Sequence, residues 1–422
     1  MTSTAPASAA TEPPMPWLAL ALLATMGFLL VAAETMPAGL LPVIAEGMGI
    51  SEGTVGQFIS VWALGTVVVT IPAISLTRGF RRKPLLLVAI AGLIVANTVT
   101  ALSSDVVVSL GSRFVAGAFT GIIWGMLAAY GRRISPPRRA GLALSIVSVG
   151  APVGFALGTP LGAWLGTTFD WRWSFGGLSL IALITFVLIA LLVPDAPGQP
   201  RSATGSLPLT RVFAMPGVAM VCLVIVVWML AHNTIYTYIA PFLREGGSGL
   251  GPDLVLLVYG VSSIIGVALT AALIDRFPRA LLHGSVGLFV VAGLVLLVGR
   301  AAPGAVLFAS MLWGIAFGGS SAQLQSALSR AGRENSDIAN SFLPVAFNLA
   351  IFAAGVVGAV LLESVDALAL AGLMAALGTV ALVLTLLGRR TAFTADHVDP
   401  SPSAPLSPTP TIRPRPRPGS ST

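Results

Sequence analysis

One carboxylate stands inside an otherwise uncharged apolar run. Glu34 lies in Val31-Ala32-Ala33-Glu34-Thr35-Met36-Pro37-Ala38-Gly39-Leu40-Leu41-Pro42 and is the only charge between residues 17 and 44. A carboxylate in hydrocarbon costs at least ~2.5–3.5 kcal/mol, so its presence points to chemistry, here the binding and release of a proton. The competing reading is a neutral carboxylic acid held by a structural hydrogen bond. Pro37 and Pro42 each remove a helix N–H, a loss tolerated in a membrane where the freed backbone lines a cavity or packs on protein. Arg113 is a second charge within an apolar run. Counted from the ends of their segments, Glu34 is ~15 Å deep and Arg113 ~10 Å deep at 1.5 Å per residue. Both are expected to face one central cavity and to be electrostatically coupled. The structural alternative is a permanent ion pair joining two helices. His232, in Trp228-Met229-Leu230-Ala231-His232-Asn233-Thr234-Ile235-Tyr236, is a third titratable group. Imidazole titrates near ~6.5, which makes His232 a candidate proton site, against the alternative of a satisfied structural histidine. Asn233, Tyr236, Gln323, Gln325, Asn340 and Asn348 are candidate substrate contacts, or equally helix–helix hydrogen bonds.

The elements that must position these groups are membrane helices. The chain of 422 residues is 55% hydrophobic and 9% charged, with mean hydropathy +0.92. A soluble domain carries roughly 25% charged residues. Twelve apolar segments follow one another, at about 17–44, 52–75, 84–103, 106–130, 139–166, 172–193, 216–241, 253–274, 280–299, 303–328, 337–362 and 367–388, each near the ~20 residues a span needs. The expected fold is an all-α membrane protein with twelve transmembrane helices in two six-helix halves. Residues 17–193 and 216–388 are the halves, and 194–215 is a Pro-, Gly-, Ser- and Thr-richer linker. Residues 1–16 and the Pro- and Arg-rich tail 389–422, with Arg413, Arg415 and Arg417, read as disordered and cytoplasmic.

Lys and Arg set the orientation. With both termini cytoplasmic, 19 of the 23 basic residues fall on the cytoplasmic side; Arg113, Arg172, Arg244 and Arg300 are the others. This asymmetry explains the basic pI of 10.6 without a nucleic-acid partner. The lone Cys222 excludes an internal disulfide, and the three histidines show no metal-ligand spacing. No phosphate-binding glycine loop ending in Lys-Ser/Thr is present, which argues against ATP hydrolysis.

The halves repeat at an offset of 198. Ser112 maps to Ser310, Ala118-Phe119 to Ala316-Phe317, Gly121 to Gly319 and Glu34 to His232. Two such halves about a central site near mid-membrane is a transporter plan. The fifth segment carries Gly150, Gly154, Gly158 and Gly162 at four-residue spacing, with Pro152 and Pro160 interleaved. That puts the glycines on one face, admits a close neighbour helix and supplies bend points. The second half has Asn348, Phe352, Val356 and Val360 there instead.

These residues resemble a family. Residues 17–388 are similar to the major facilitator superfamily, in the drug:proton antiporter branch with twelve spans, nearest to bacterial exporters of sugars, purine nucleosides or chloramphenicol-like drugs. Glu34-Thr35-Met36-Pro37-Ala38-Gly39-Leu40-Leu41-Pro42 resembles that group's first-helix signature. Ser112-Arg113-Phe114-Val115-Ala116-Gly117 resembles the helix-four Arg-x-x-x-Gly motif, whose Arg is implicated in proton coupling. Gly158-Thr159-Pro160-Leu161-Gly162 resembles the helix-five antiporter motif. Asp170-Trp171-Arg172-Trp173-Ser174-Phe175 and Tyr238-Ile239-Ala240-Pro241-Phe242-Leu243 resemble the start of helix six and the end of helix seven. The loop motif after helix two departs from the family. Ala73, Thr77 and Phe80 replace its first Gly, its Asp and its second Gly, leaving Arg78, Arg81, Arg82 and Lys83, while the second copy keeps Asp275, Arg276 and Arg279.

The resemblance implies a secondary active exporter of the cell membrane and not an enzyme, with Glu34, Arg113 and His232 in proton coupling. Arg78, Arg82, Asp275, Arg276 and Arg279 would form gating loops. The expected partners are a small-molecule substrate, protons and the lipid bilayer, with no nucleic acid, no cofactor and a monomeric working unit. A proton-independent facilitator or importer of the same fold, or a non-transporting membrane sensor, are the alternatives.

Overall fold

The computed structural model describes residues 14–77, 79–198 and 209–393. Among these residues there are helices and turns and no strand. A helix satisfies its backbone hydrogen bonds internally, as hydrocarbon requires. Twelve helices are long and apolar enough to cross a membrane. They are α1 Trp17–Met48, α2 Glu52–Thr77, α3 Arg82–Leu102, α4 Val106–Arg133, α5 Pro137–Thr168 and α6 Trp171–Leu192 in the first half. In the second half they are α7 Pro216–Thr237, α8 Pro252–Leu273, α9 Pro278–Gly299, α10 Pro303–Asn335, α11 Ile338–Ser364 and α12 Ala369–Arg390. The chain is a multi-pass membrane protein of twelve helices in two six-helix halves. Arg78, residues 1–13, most of the linker and the run Arg413, Arg415, Arg417 lie outside the described residues.

Proline acts differently in the two leading helices. α1 runs unbroken through Pro37 and Pro42 and ends on Gly49 in the left-handed region at φ 65°, where glycine carries no Cβ penalty. The seventh segment, expected over 216–241, stops at Thr237. The backbone turns at Tyr238, and a short helix, Ile239–Gly246, completes the passage. Pro241 has no N–H to offer the Thr237 carbonyl, so the break falls where the ladder already lacks a bond.

The duplication is visible in packing. A Cβ on Gly121 of α4 would meet the Thr70 hydroxyl of α2, and one on Gly319 of α10 would meet the Thr270 hydroxyl of α8. Ser112 and Ser310 are both buried and both donate to carbonyls of the preceding turn. The glycine face of α5 packs on α1: Gly150 on the Ala24 backbone, Gly154 on Phe28 and Val31, Gly158 on Ala32 and Gly162 on Met36. A π turn spans Gly154–Gly158, ending just before Pro160 removes a donor.

Twelve spans put both ends of the helical body on one side, the terminal side. Among the described residues, polar contacts between the halves gather at the opposite, far side. Arg244 pairs with Glu52 in two bonds of 2.6 and 2.9 Å. Ser51 Oγ donates to Glu363 at 3.2 Å, Gln57 Nε2 to Gly355 O at 3.1 Å, and Tyr238 Oη to Gly53 O at 3.4 Å. Apolar packing follows the same division. Met36, Leu40, Phe58 and Ile59 share one core with Ile235, Tyr238 and Leu256 of the second half. Leu20, Leu23, Leu30, Ile90 and Tyr130, nearer the terminal side, form a separate core of the first half alone. Among the described residues, the halves are joined at the far side.

Candidate functional site

Glu34 keeps accessible surface while Ala32, Ala33, Thr35 and Met36 around it are buried. Its carboxylate accepts no hydrogen bond and forms no ion pair among the described residues. Arg113 is the opposite case. It is 0% exposed and clasped by carbonyls. Nη2 donates to Ala33 O at 2.8 Å and to Glu34 O at 3.3 Å, and Nε donates to Phe58 O at 3.3 Å. Its guanidinium carbon lies 4.2 Å from the Trp62 ring and 5.5 Å from the Phe175 ring, close enough for the ring faces to stabilise the cation. Arg113 thus ties α4 to α1, α2 and α6 through their backbones and rings. It reaches the Glu34 main chain, not the carboxylate, so the ion-pair alternative is not what the geometry shows.

Pro37 explains this clasp. In a helix the Ala33 carbonyl accepts from residue 37, and proline has no N–H. The freed carbonyl is the one that takes the shortest Arg113 bond. The pairing of Pro37 with Arg113 is therefore a signal present in the sequence, once helices one and four are known to be neighbours.

Beside Glu34, Thr35 Oγ1 lies 2.6 Å from Thr159 Oγ1 of α5, and both residues are buried. The π turn and the close α1–α5 approach bring them together. Tyr236 of α7 carries a further hydroxyl. Its Oη is buried and has no hydrogen-bond partner among the described residues. Neither threonine stood out in the sequence, because hydroxyls in membrane helices usually bond their own backbone.

The second half contributes rings. His232 is 1% exposed and so is shut away from solvent. It stacks on Phe317 at 3.5 Å and 9°, and its Nδ1 accepts from Trp313 Nε1 at 2.9 Å. Neutral His232 then carries its proton on Nε2. Tyr236, Tyr259 and Trp313 complete the cluster, and Phe155 of α5 meets Tyr236 edge-on.

The remaining candidates scatter. Asn233 is buried, with its amide on Met229 O at 3.1 Å. Gln323 is buried between Thr270 and Ser285, at 2.9 and 3.0 Å, and joins α10 to α8 and α9. Gln325 is exposed. Asn340 donates to Ser329 Oγ at 2.7 Å, and Asn348 to the Pro344 carbonyl of its own helix. The structure does not bring Gln323, Gln325, Asn340 and Asn348 to one point beside Glu34. Among the described residues, no His, Cys, Asp or Glu cluster could hold a metal ion.

At the terminal side Asp195 supplies the carboxylate that the first loop motif lacks. It pairs with Arg81 at 2.6 Å and accepts from the Lys83 amide at 3.1 Å. The Arg82 amide donates to Ala196 O, Tyr130 Oη to Pro194 O and Arg133 to Pro197 O. Burial alone would raise the Asp195 carboxyl, but the Lys83 and Ala196 amides and the Arg81 guanidinium outweigh it and hold it below its usual range. Asp275, Arg276 and Arg279 are exposed, and Asp275 makes no ion pair among the described residues.

The Major Facilitator Superfamily profile matches residues 23–337. Among solved structures the chain is similar to one described as "Crystal structure of D-xylose-proton symporter", with a TM-score of 0.70 and 17% identity. The match covers 87% of this chain and 96% of that one. At this identity the likeness speaks for the fold.

Proposed function

Because the chain belongs to the major facilitator superfamily, we propose that it is a secondary active transporter of the cell membrane that exports a small organic molecule in exchange for protons. Placing 19 of the 23 basic residues inside makes the terminal side cytoplasmic. The observation that carries the reading is the contrast between two neighbouring charges. Arg113 is buried and held by carbonyls and rings, while Glu34 keeps accessible surface and its carboxylate is unbonded among the described residues. A group that must bind and release a proton needs that freedom; a structural charge does not. Arg113 holds α1 in place and keeps a positive charge near the carboxylate. Glu34 takes a proton when the cavity faces outside, and the halves rock about the site. Glu34 then releases the proton inward, and substrate binding draws the halves back.

The resemblance of the first-helix and helix-five motifs to those of exporters supports antiport. The symporter named among similar structures favours a second reading, in which solute and proton move together. Inverted membrane vesicles separate the two. A purine nucleoside, arabinose, chloramphenicol and ethidium would be offered with and without a pH gradient, to wild type and Glu34→Gln. Antiport predicts accumulation of one probe against the gradient, lost in Glu34→Gln. Accumulation only with the gradient reversed would indicate symport. Equal flux in all conditions would indicate a facilitator, and no flux of any probe would favour a sensor.

A further inference from the structure

The far-side junction is built around one ring. Tyr238 stands where α7 breaks, at φ −108° and ψ 30°, and is 0% exposed. Its hydroxyl donates to Gly355 O of α11 at 2.7 Å and lies 3.4 Å from Gly53 O of α2. Gln57 Nε2 of α2 donates to the same Gly355 carbonyl at 3.1 Å. Two glycine pairs make room for the ring. Gly53 and Gly56 stand three apart on α2, and Gly355 and Gly358 three apart on α11, so each pair shares a helix face. A Cβ on Gly56 would overlap the Tyr238 hydroxyl and the ring carbons beside it, and one on Gly358 would overlap the opposite ring edge. Deeper in the crossing, a Cβ on Gly355 would meet the Ser60 hydroxyl of α2, so the two helices touch directly there.

The pseudo-equivalent crossing is built without a ring. There Gly260 of α8 meets the Phe155–Ala156 backbone of α5, and the offset of 198 sends Tyr238 to Leu40 of the unbroken α1. The other far-side ties are wet. The Arg244 side chain is 55% exposed in its pair with Glu52, and the Ser51–Glu363 bond is at the surface, where water screens such contacts and leaves them little strength. Building on the reading that the halves rock, we propose that Tyr238 is the key of the far-side gate. Its ring is carried by the second half, anchored on Gly355 O, and seats in the Gly53–Gly56 notch of α2. The far side opens when α2 leaves the ring. Tyr238 is a positioning residue: it sets the balance between a closed and an open far side, whatever the direction of transport.

Spin labels on the exposed positions Thr168→Cys and Ala301→Cys, in a Cys222→Ala background, report the far-side separation of the halves in nanodiscs. This labelled parent should give the short distance of joined halves. Tyr238→Ala removes the key and should move most of the population to a longer distance. Gly358→Ala should do so in part by displacing the ring, although alanine is the better helix former. Glu52→Gln, which breaks only the surface pair, should keep the parent distance. Gly56→Ala should lower the melting temperature of the parent and not that of Tyr238→Ala, where the ring it would strike is gone. An equal melting loss in both backgrounds overturns the notch as the seat of the ring. Glu52→Gln opening as far as Tyr238→Ala overturns Tyr238 as the key. Should Tyr238→Ala fail to fold, Gly358→Ala carries the distance test, and a parent distance there overturns the proposal. Unchanged distances in Tyr238→Ala protein that still moves a probe in the vesicles overturn the gate role and leave the transporter reading standing. If every variant keeps the parent distance and no probe moves in any of them, that reading and this inference fail together.

Discussion

The two halves share a packing plan and differ in chemistry. In the first, α4 sends Arg113 into the carbonyls of α1 and α2 beside a free carboxylate. At the pseudo-equivalent places the second half has Met311 and His232, and His232 is sealed among Trp313, Phe317 and Tyr259. One half holds charge and the other holds rings. The same helical frame therefore supports two roles, because packing depends on small residues at fixed crossings, such as Gly121 with Thr70 and Gly319 with Thr270. The side chains aimed inward are free to diverge. In the proposed function the proton site lies in the charged half.

The largest expected effect tests the α5 face. Gly158→Leu would drive a side chain into Ala32 of α1, and overpacking of this kind costs about 1–3 kcal/mol. Its partner by the duplication, Val356, is 41% exposed, so Val356→Leu should leave the melting temperature nearly unchanged. Equal losses from both would mean that the halves use this face alike. Arg113→Met comes next. It leaves the Ala33 carbonyl unpaired, a loss of about 1–3 kcal/mol, and should lower thermal stability in detergent. Met311→Leu, at the matching place in α10, should be close to neutral. A stable Arg113→Met protein would show that the clasp is not structural.

The smallest effect separates the two terminal-side carboxylates. Asp195→Asn weakens the contact with Arg81, which is mostly exposed and screened by water, so the loss should stay within ~1 kcal/mol. The folded Asp195 carboxyl lies below its usual value of ~3.9. Its stabilisation is therefore present above that pH and lost as pH falls through the lowered folded value. The melting difference between wild type and Asp195→Asn should shrink in acid below pH ~4. Asp275→Asn should leave the melting temperature unchanged, and a matching loss there would assign the second loop a latch of its own.

Much of this molecule was legible along the chain. Twelve apolar runs, the basic residues gathered on one side and the repeat at 198 predict twelve spans in two halves, because hydrocarbon admits few other backbones. Glu34 and Arg113 were conspicuous for the same reason, and the four glycines of α5 announced a close helix neighbour. The identity of that neighbour, α1, came only from the fold. So did the fact that Arg113 binds carbonyls, since a lone intramembrane cation reads equally as half of an ion pair. Asp195 was hidden because its partners are distant in sequence and the loop motif pointed elsewhere. Tyr236 was a candidate contact and both threonines lie inside quoted motifs, but the Thr35–Thr159 pairing was hidden because hydroxyls in membrane helices usually bond their own backbone. Hydropathy and charge act on each segment by itself and are read one segment at a time. Which carbonyl, ring or hydroxyl meets which depends on how helices from both halves cross, and only the tertiary structure decided that.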